Sequence, residues 1–145
     1  MSRLTRNEIM VLIPHAGAMC LLDEVLEWDA AHVRCRSQRF TAADNPLRRA
    51  DGTLGAASGI EIAAQAMAVH GRLTAPGDGV PVPGYLVSLR DVRFGVPALD
   101  GPGALTISAE KLLGDTNGAS YAFAVSHEGA TLLSGRAMVM FGGSA

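Results

Sequence analysis

Cysteine, lysine and charge in general are scarce in this 145-residue chain. The two cysteines, Cys20 and Cys35, do not form a C-x-x-C pair and are too few for a disulfide framework, so they read as buried, reduced thiols. Charged residues make up 18% of the chain, with a single lysine among its twelve Lys and Arg residues and a formal net charge of −2. A nucleic-acid binder would carry a basic excess, and there is none. The four histidines lack metal-ligand spacing, so no metal and no cofactor is expected. The opening "MSRLTRNEIMVLIPH" is too short in its apolar part for a signal peptide and lacks a small-residue cleavage site. The apolar stretch from Leu54 to Val69 is broken by Glu61 and Gln65 and is too short for a membrane span. Together these features lead us to expect one soluble, cytoplasmic domain over residues 1–145, with no nucleic-acid and no membrane partner.

What is present is apolar residues, 48% of the chain, in patterns that change along its length. "RNEIMVLIP" suits a short opening helix closed by Pro14. "CLLDEVLEW" and "HVRCRSQRF" suit a strand pair around a "DAA" connection, with Val33 and Cys35 alternating against Arg34 and Arg36. "TAADNPLRRADGT" is turn chemistry. A helix from about Leu54 to Arg72 follows, apolar on nearly every side and therefore expected to be surrounded by protein. After the loop "TAPGDGVPVPG", four strands are separated by "DGPG", "DTNG" and "EGA", where glycine permits hairpin turns. Two strands, one helix and four strands without βαβ alternation predict an α+β fold with an antiparallel sheet. A sheet wrapped on one helix leaves part of itself uncovered and an edge exposed, so a dimer is expected.

Glu61 is the oddity of the helix: from Leu54 to Gly71 only it and His70 are titratable. Two readings stand side by side. Ser58 and Glu61 fit a capping box, in which the carboxylate serves the helix N-terminus. Alternatively the carboxylate is kept in apolar surroundings for chemistry, where desolvation favours the un-ionised acid. Gln65, one turn on, either bridges buried backbone groups or orders a site. His70 falls where a histidine complements the helix dipole, and His32 and His127 fall at strand ends where they would be solvated. Arg34, Arg36, Arg39, Arg48 and Arg49 form a basic concentration, suited either to a solvated face or to a phosphate or an acidic protein surface.

The string "LIPHAGAMCLLDEVLEWD", the strand order and "EIAAQAM" together resemble the hotdog fold, and within it the 3-hydroxyacyl-(acyl carrier protein) dehydratases. More closely, "NPLRRADGTLGAASGIEIAAQAMAVHG" is similar to the predicted dehydratases of aryl-polyene-type lipid gene clusters, which work beside a second hotdog protein. The resemblance implies a sheet wrapped around one long central helix and an acyl thioester substrate on acyl carrier protein or CoA. It implies Glu61 as proton donor, with Gln65 ordering the substrate site. First-turn N–H groups at Ala56 and Ala57 would receive the thioester oxygen, and Gly55 and Gly59 would let the thioester come close. His15 matches the family's "PH" pair, as a second catalytic candidate or as an anchor of the N-terminal segment. The chain departs from the family where the "Gly-His-Phe-Pro" histidine falls on Leu47, and no histidine lies between His32 and His70. In such dehydratases the histidine and the glutamate come from different subunits. This chain is therefore expected to be the Glu-bearing half of a composite site, in a homodimer or in a heterodimer with another hotdog protein. A thioesterase and a non-catalytic acyl-binding subunit remain the alternatives.

Overall fold

A computed structural model of the chain describes residues 3–12, 20–42, 44–74, 84–99, 103–115 and 117–141. Strand β1 (Leu4–Thr5) leads directly into α1 (Arg6–Leu12). A reciprocal capping box starts that helix: the Thr5 N–H donates to Glu8 Oε1 at 2.9 Å, and the Glu8 N–H to Thr5 Oγ1 at 3.4 Å. Strands β2 (Glu24–Trp28) and β3 (His32–Ser37) follow, then the central helix α2 (Gly59–Thr74). The chain closes with β4 (Gly84–Phe94), β5 (Leu105–Gly114), β6 (Gly118–His127) and β7 (Ala130–Phe141).

All seven strands form one antiparallel sheet in the order β1-β2-β3-β5-β6-β7-β4. This is the expected α+β arrangement, with β1 as an additional strand that two residues are too few to announce. Period-two alternation sets the buried face: Val33 and Cys35 on β3, Leu105 and Ile107 on β5, Tyr121, Phe123 and Val125 on β6. Helix α2 lays Ile62, Ala63, Ala66, Met67 and Val69 against that face. The β6–β7 hairpin turns on Glu128 and Gly129, both at positive φ (50° and 84°), which matches the twist of the flanking strands. At the β2–β3 connection the Asp29 carboxylate accepts the Ala31 and His32 N–H groups at 2.8 Å each.

Several boundaries differ from expectation: β3 stops at Ser37 and gives way to a 3-10 turn over Arg39–Thr41, and the central helix runs on to Thr74. Residues 20–23 precede β2 rather than belonging to it, and the central helix begins at Gly59 rather than Leu54. The cause of this late helix start is tertiary. Leu54 to Ala56 run extended beside residues 97–99, with Ala56 N–H donating to Pro97 O at 3.0 Å and Leu99 N–H to Leu54 O at 2.8 Å. Only after a 3-10 turn over Ala56–Ser58 does the α-helix start. No helix among the described residues is long and apolar enough to cross a membrane.

Candidate functional site

The head of α2 is placed by the loop before it. Arg48 clamps that loop, donating to the carbonyls of Thr41, Ala42 and Gly52 at 2.6, 2.9 and 2.8 Å. Asn45, 5% exposed, donates to Phe40 O and accepts the Leu47 N–H. Leu47, where the resembling enzymes place their histidine, packs half-buried against the core.

Glu61 is in the first turn of α2 and is half-buried in the single chain, not enclosed as expected. Its Oε2 accepts a hydrogen bond from Gln65 Nε2 at 3.0 Å. Gln65 is 1% exposed, and its Oε1 accepts the Leu21 N–H at 2.9 Å. The amide thus spans from the backbone ahead of β2 to the carboxylate, satisfying a buried N–H and fixing the acid with one side chain. The hydrogen bond from the Leu21 N–H is the backbone bridge that the sequence offered as one reading of Gln65. The Ser58 hydroxyl donates backward to the Gly55 carbonyl, a different pairing from a Ser58–Glu61 capping box.

The two first-turn amides separate. Ala56 is buried and its N–H is committed to Pro97, so it has no hydrogen left for a ligand, contrary to expectation. Ala57 is exposed, and its N–H meets no acceptor among the described residues. The glycines are also occupied from within: a Cβ on Gly59 would fall 2.6 Å from Leu133 Cδ2, and one on Gly55 2.6 Å from Arg49 Nη2. At Gly59 the missing side chain lets the helix approach Leu133 of β7 and Leu99 closely. His15 lies outside the described residues.

His70 is buried and does not act as a cation at the helix end. Its Nε2–H donates to the Asp29 carbonyl at 2.8 Å, which leaves Nδ1 to accept from the Tyr121 hydroxyl at 2.7 Å. Burial lowers its pKa, outweighing the hydrogen bond to Asp29 that raises it. Cys20 and Cys35 are free and buried, and desolvation pushes the Cys35 thiol up to about 12.

Three arginines of the basic concentration are paired with carboxylates. Arg39 meets Asp23 at 2.8 Å, Arg34 meets Glu27 at 3.4 Å and Arg36 meets Glu24 at 3.8 Å. Asp23 is held below the usual carboxylate range. Its burial opposes this, but the Arg39 and Gln38 N–H groups and the Arg39 guanidinium prevail. His32 pairs with Asp29 at 2.9 Å. Among the described residues no three His, Cys, Asp or Glu side chains gather as metal ligands. A depression on the outer sheet face, lined by His32, Ser108, Glu110, Ala122 and Ala124 among others, does not include Glu61.

A family model described as "ApeP-like: ApeP dehydratase" matches residues 7–142. The structure is similar to a chain of the dehydratase heterocomplex ApeI:P from Xenorhabdus doucetiae, at 29% identity and TM-score 0.79, covering 92% of this chain and 90% of that one. Two further likenesses, both at 12% identity, concern the fold alone. A hypothetical thioesterase with coenzyme A from Streptococcus pneumoniae aligns at TM-score 0.60, covering 83% of this chain and 85% of that one. A thioesterase from Haemophilus influenzae aligns at TM-score 0.59, covering 81% and 76%. No curated protein matches in sequence.

Proposed function

The chain belongs to the ApeP-like dehydratase family and has its hotdog fold, and from that premise we propose that it supplies the carboxylate half of a 3-hydroxyacyl-thioester dehydratase site. The observation that carries the reading is the chain of contacts Leu21 N–H to Gln65 to Glu61 at the head of α2, beside the exposed Ala57 N–H. Ala57 precedes Glu61 by four residues, so the same end of the helix offers an acid and a backbone donor.

In the proposed reaction a base removes the C2 proton and the C2–C3 double bond forms. The C3–oxygen bond breaks as the Glu61 carboxyl hands its proton to the departing hydroxyl, which leaves as water. Charge gathering on the thioester oxygen is met by the Ala57 N–H. Gln65 is a positioning residue. The base is His15 or a histidine of a second hotdog subunit, because the position that carries it in the resembling enzymes is Leu47.

Exposed apolar side chains on β4 support a second subunit. On the helix-side face of β4, Leu86, Leu89 and Phe94 lie opposite the buried Val139, Ala137 and Leu133, yet are 38%, 39% and 48% exposed. Among the described residues β4 is also an edge strand, paired with β7 alone. The ApeI:P neighbour is a heterocomplex, which favours a different hotdog chain as partner. The substrate in this reading is an acyl thioester on acyl carrier protein or CoA.

The test is the interconversion of 3-hydroxyacyl and 2-enoyl thioesters, measured with this protein alone and with a second hotdog protein that carries a catalytic histidine. Activity that needs both chains and falls about 100-fold or more in Glu61→Gln is the expected result. Release of free thiol from the thioester, lost in the same variant, would replace the reading with hydrolysis. Full activity of the chain alone, abolished by His15→Ala, would make His15 the base and remove the need for a second subunit.

A further inference from the structure

The outer face of the sheet carries a row of directly opposed residues: His32 on β3, Glu110 on β5, Ala122 on β6, Arg136 on β7 and Arg90 on β4. It ends at the open edge with two arginines facing each other, an arrangement that costs free energy in a sheet. Arg93 adds a third guanidinium opposite Ser134. All three are exposed, and no ion pair is found for them among the described residues. Elsewhere the chain matches its strand arginines with carboxylates, as Arg34 with Glu27 and Arg36 with Glu24. Here the neighbours offer little. Asp91, set in a bulge at φ 54°, is the one carboxylate on β4, and Glu110 stands two strands away, roughly 10 Å.

We infer that this arginine edge chooses the subunit that pairs with β4: a chain whose own edge strand presents carboxylates on the outer face, in preference to a second copy of this one. The inference rests on the composite-site reading above and names the chemistry of the partner. Antiparallel pairing brings a neighbouring strand to about 4.8 Å from β4, within reach of Arg90 and Arg93. Two copies of this chain would gather six arginines against two aspartates along one seam, a net charge of +4. An acidic partner strand converts the same groups into cross-strand ion pairs, so one feature both attracts the correct partner and repels the wrong one.

Sedimentation velocity on the full chain tests this without acyl substrate, so its outcome is independent of whether the site dehydrates anything. The probe partner is a charge-reversed copy, Arg90→Glu/Arg93→Glu/Arg136→Glu. At low salt the wild type mixed with this copy should associate about tenfold or more tightly than the wild type with itself, and the gap should close as salt approaches roughly 0.5 M. If the triple variant does not fold, as judged by circular dichroism, the neutral Arg90→Gln/Arg136→Gln chain replaces it. That chain should self-associate more tightly than the wild type at low salt. A wild-type homodimer insensitive to salt, a mixed pair no tighter than the homotypic one, or a neutral variant that self-associates like the wild type would each overturn the inference.

Discussion

Replacing Gln65 separates the two tasks assigned to it. Gln65→Leu keeps the approximate volume but removes both hydrogen bonds, leaving the Leu21 N–H buried without an acceptor. An orphaned buried donor costs about 1–3 kcal/mol. For a domain of this size that corresponds to a melting temperature lower by roughly 3–9 °C. Gln65→Glu keeps an acceptor for Leu21 but faces Glu61 with a second carboxylate, and two such groups hold a proton between them. The folded variant then binds more protons than the unfolded chain, so its stability relative to wild type declines as pH rises through the carboxylate range. Urea unfolding followed by circular dichroism between pH 4 and 8 gives both numbers, and the dehydration assay gives the loss of turnover from a mis-set Glu61. A Gln65→Leu protein with wild-type stability would refute the bridging geometry. One that is destabilised but fully active would refute the positioning role while leaving the bridge intact.

Other consequences follow from single contacts. His70 has a folded pKa below its unfolded value of about 6.5, so the unfolded chain takes up its proton first on acidification. Stability should therefore fall as pH drops from about 6.5 towards the folded value, and the slope should shrink in His70→Gln. Equilibrium unfolding midpoints across that range read the difference, and equal slopes in the two proteins would show His70 to be solvated. Gly118→Ala places a Cβ 2.5 Å from the Val139 carbonyl, and the backbone must move to admit it. A loss of about 1–3 kcal/mol is expected in urea titrations, and a neutral result would mean that β6 and β7 are further apart than the register implies.

Much of the fold was legible because it is written in local periodicity. Val33 and Cys35 alternate with Arg34 and Arg36, and they did form a half-buried strand. "EGA" did close a hairpin at positive φ, and the uncharged run around Glu61 did become the central helix. Boundaries slipped where distant segments intervene. Residues 54–56 have helical neighbours in sequence, but their backbone groups are taken by 97–99, and no local rule reports a partner forty residues away. The same cause committed the Ala56 N–H to Pro97, while the Ala57 N–H meets no acceptor among the described residues. Gly59 looked like an opening for a ligand because a sequence shows where side chains are missing but not what fills the space.

The sequence by itself determined the class of secondary structure, the single acid on the helix and the family to which the chain belongs. These depend on neighbours within a turn or two and on motif spacing, both of which are written along the chain. Only the tertiary structure decided that Gln65 ties Glu61 to the backbone of Leu21, and that His70 is a neutral pin between Asp29 and Tyr121. It also decided that Arg90 and Arg136 meet at an open edge. Each of these joins residues forty or more positions apart. Hydrogen bonds and charge pairs act over a few ångströms, and which distant groups come that close is fixed only when the sheet and helix pack.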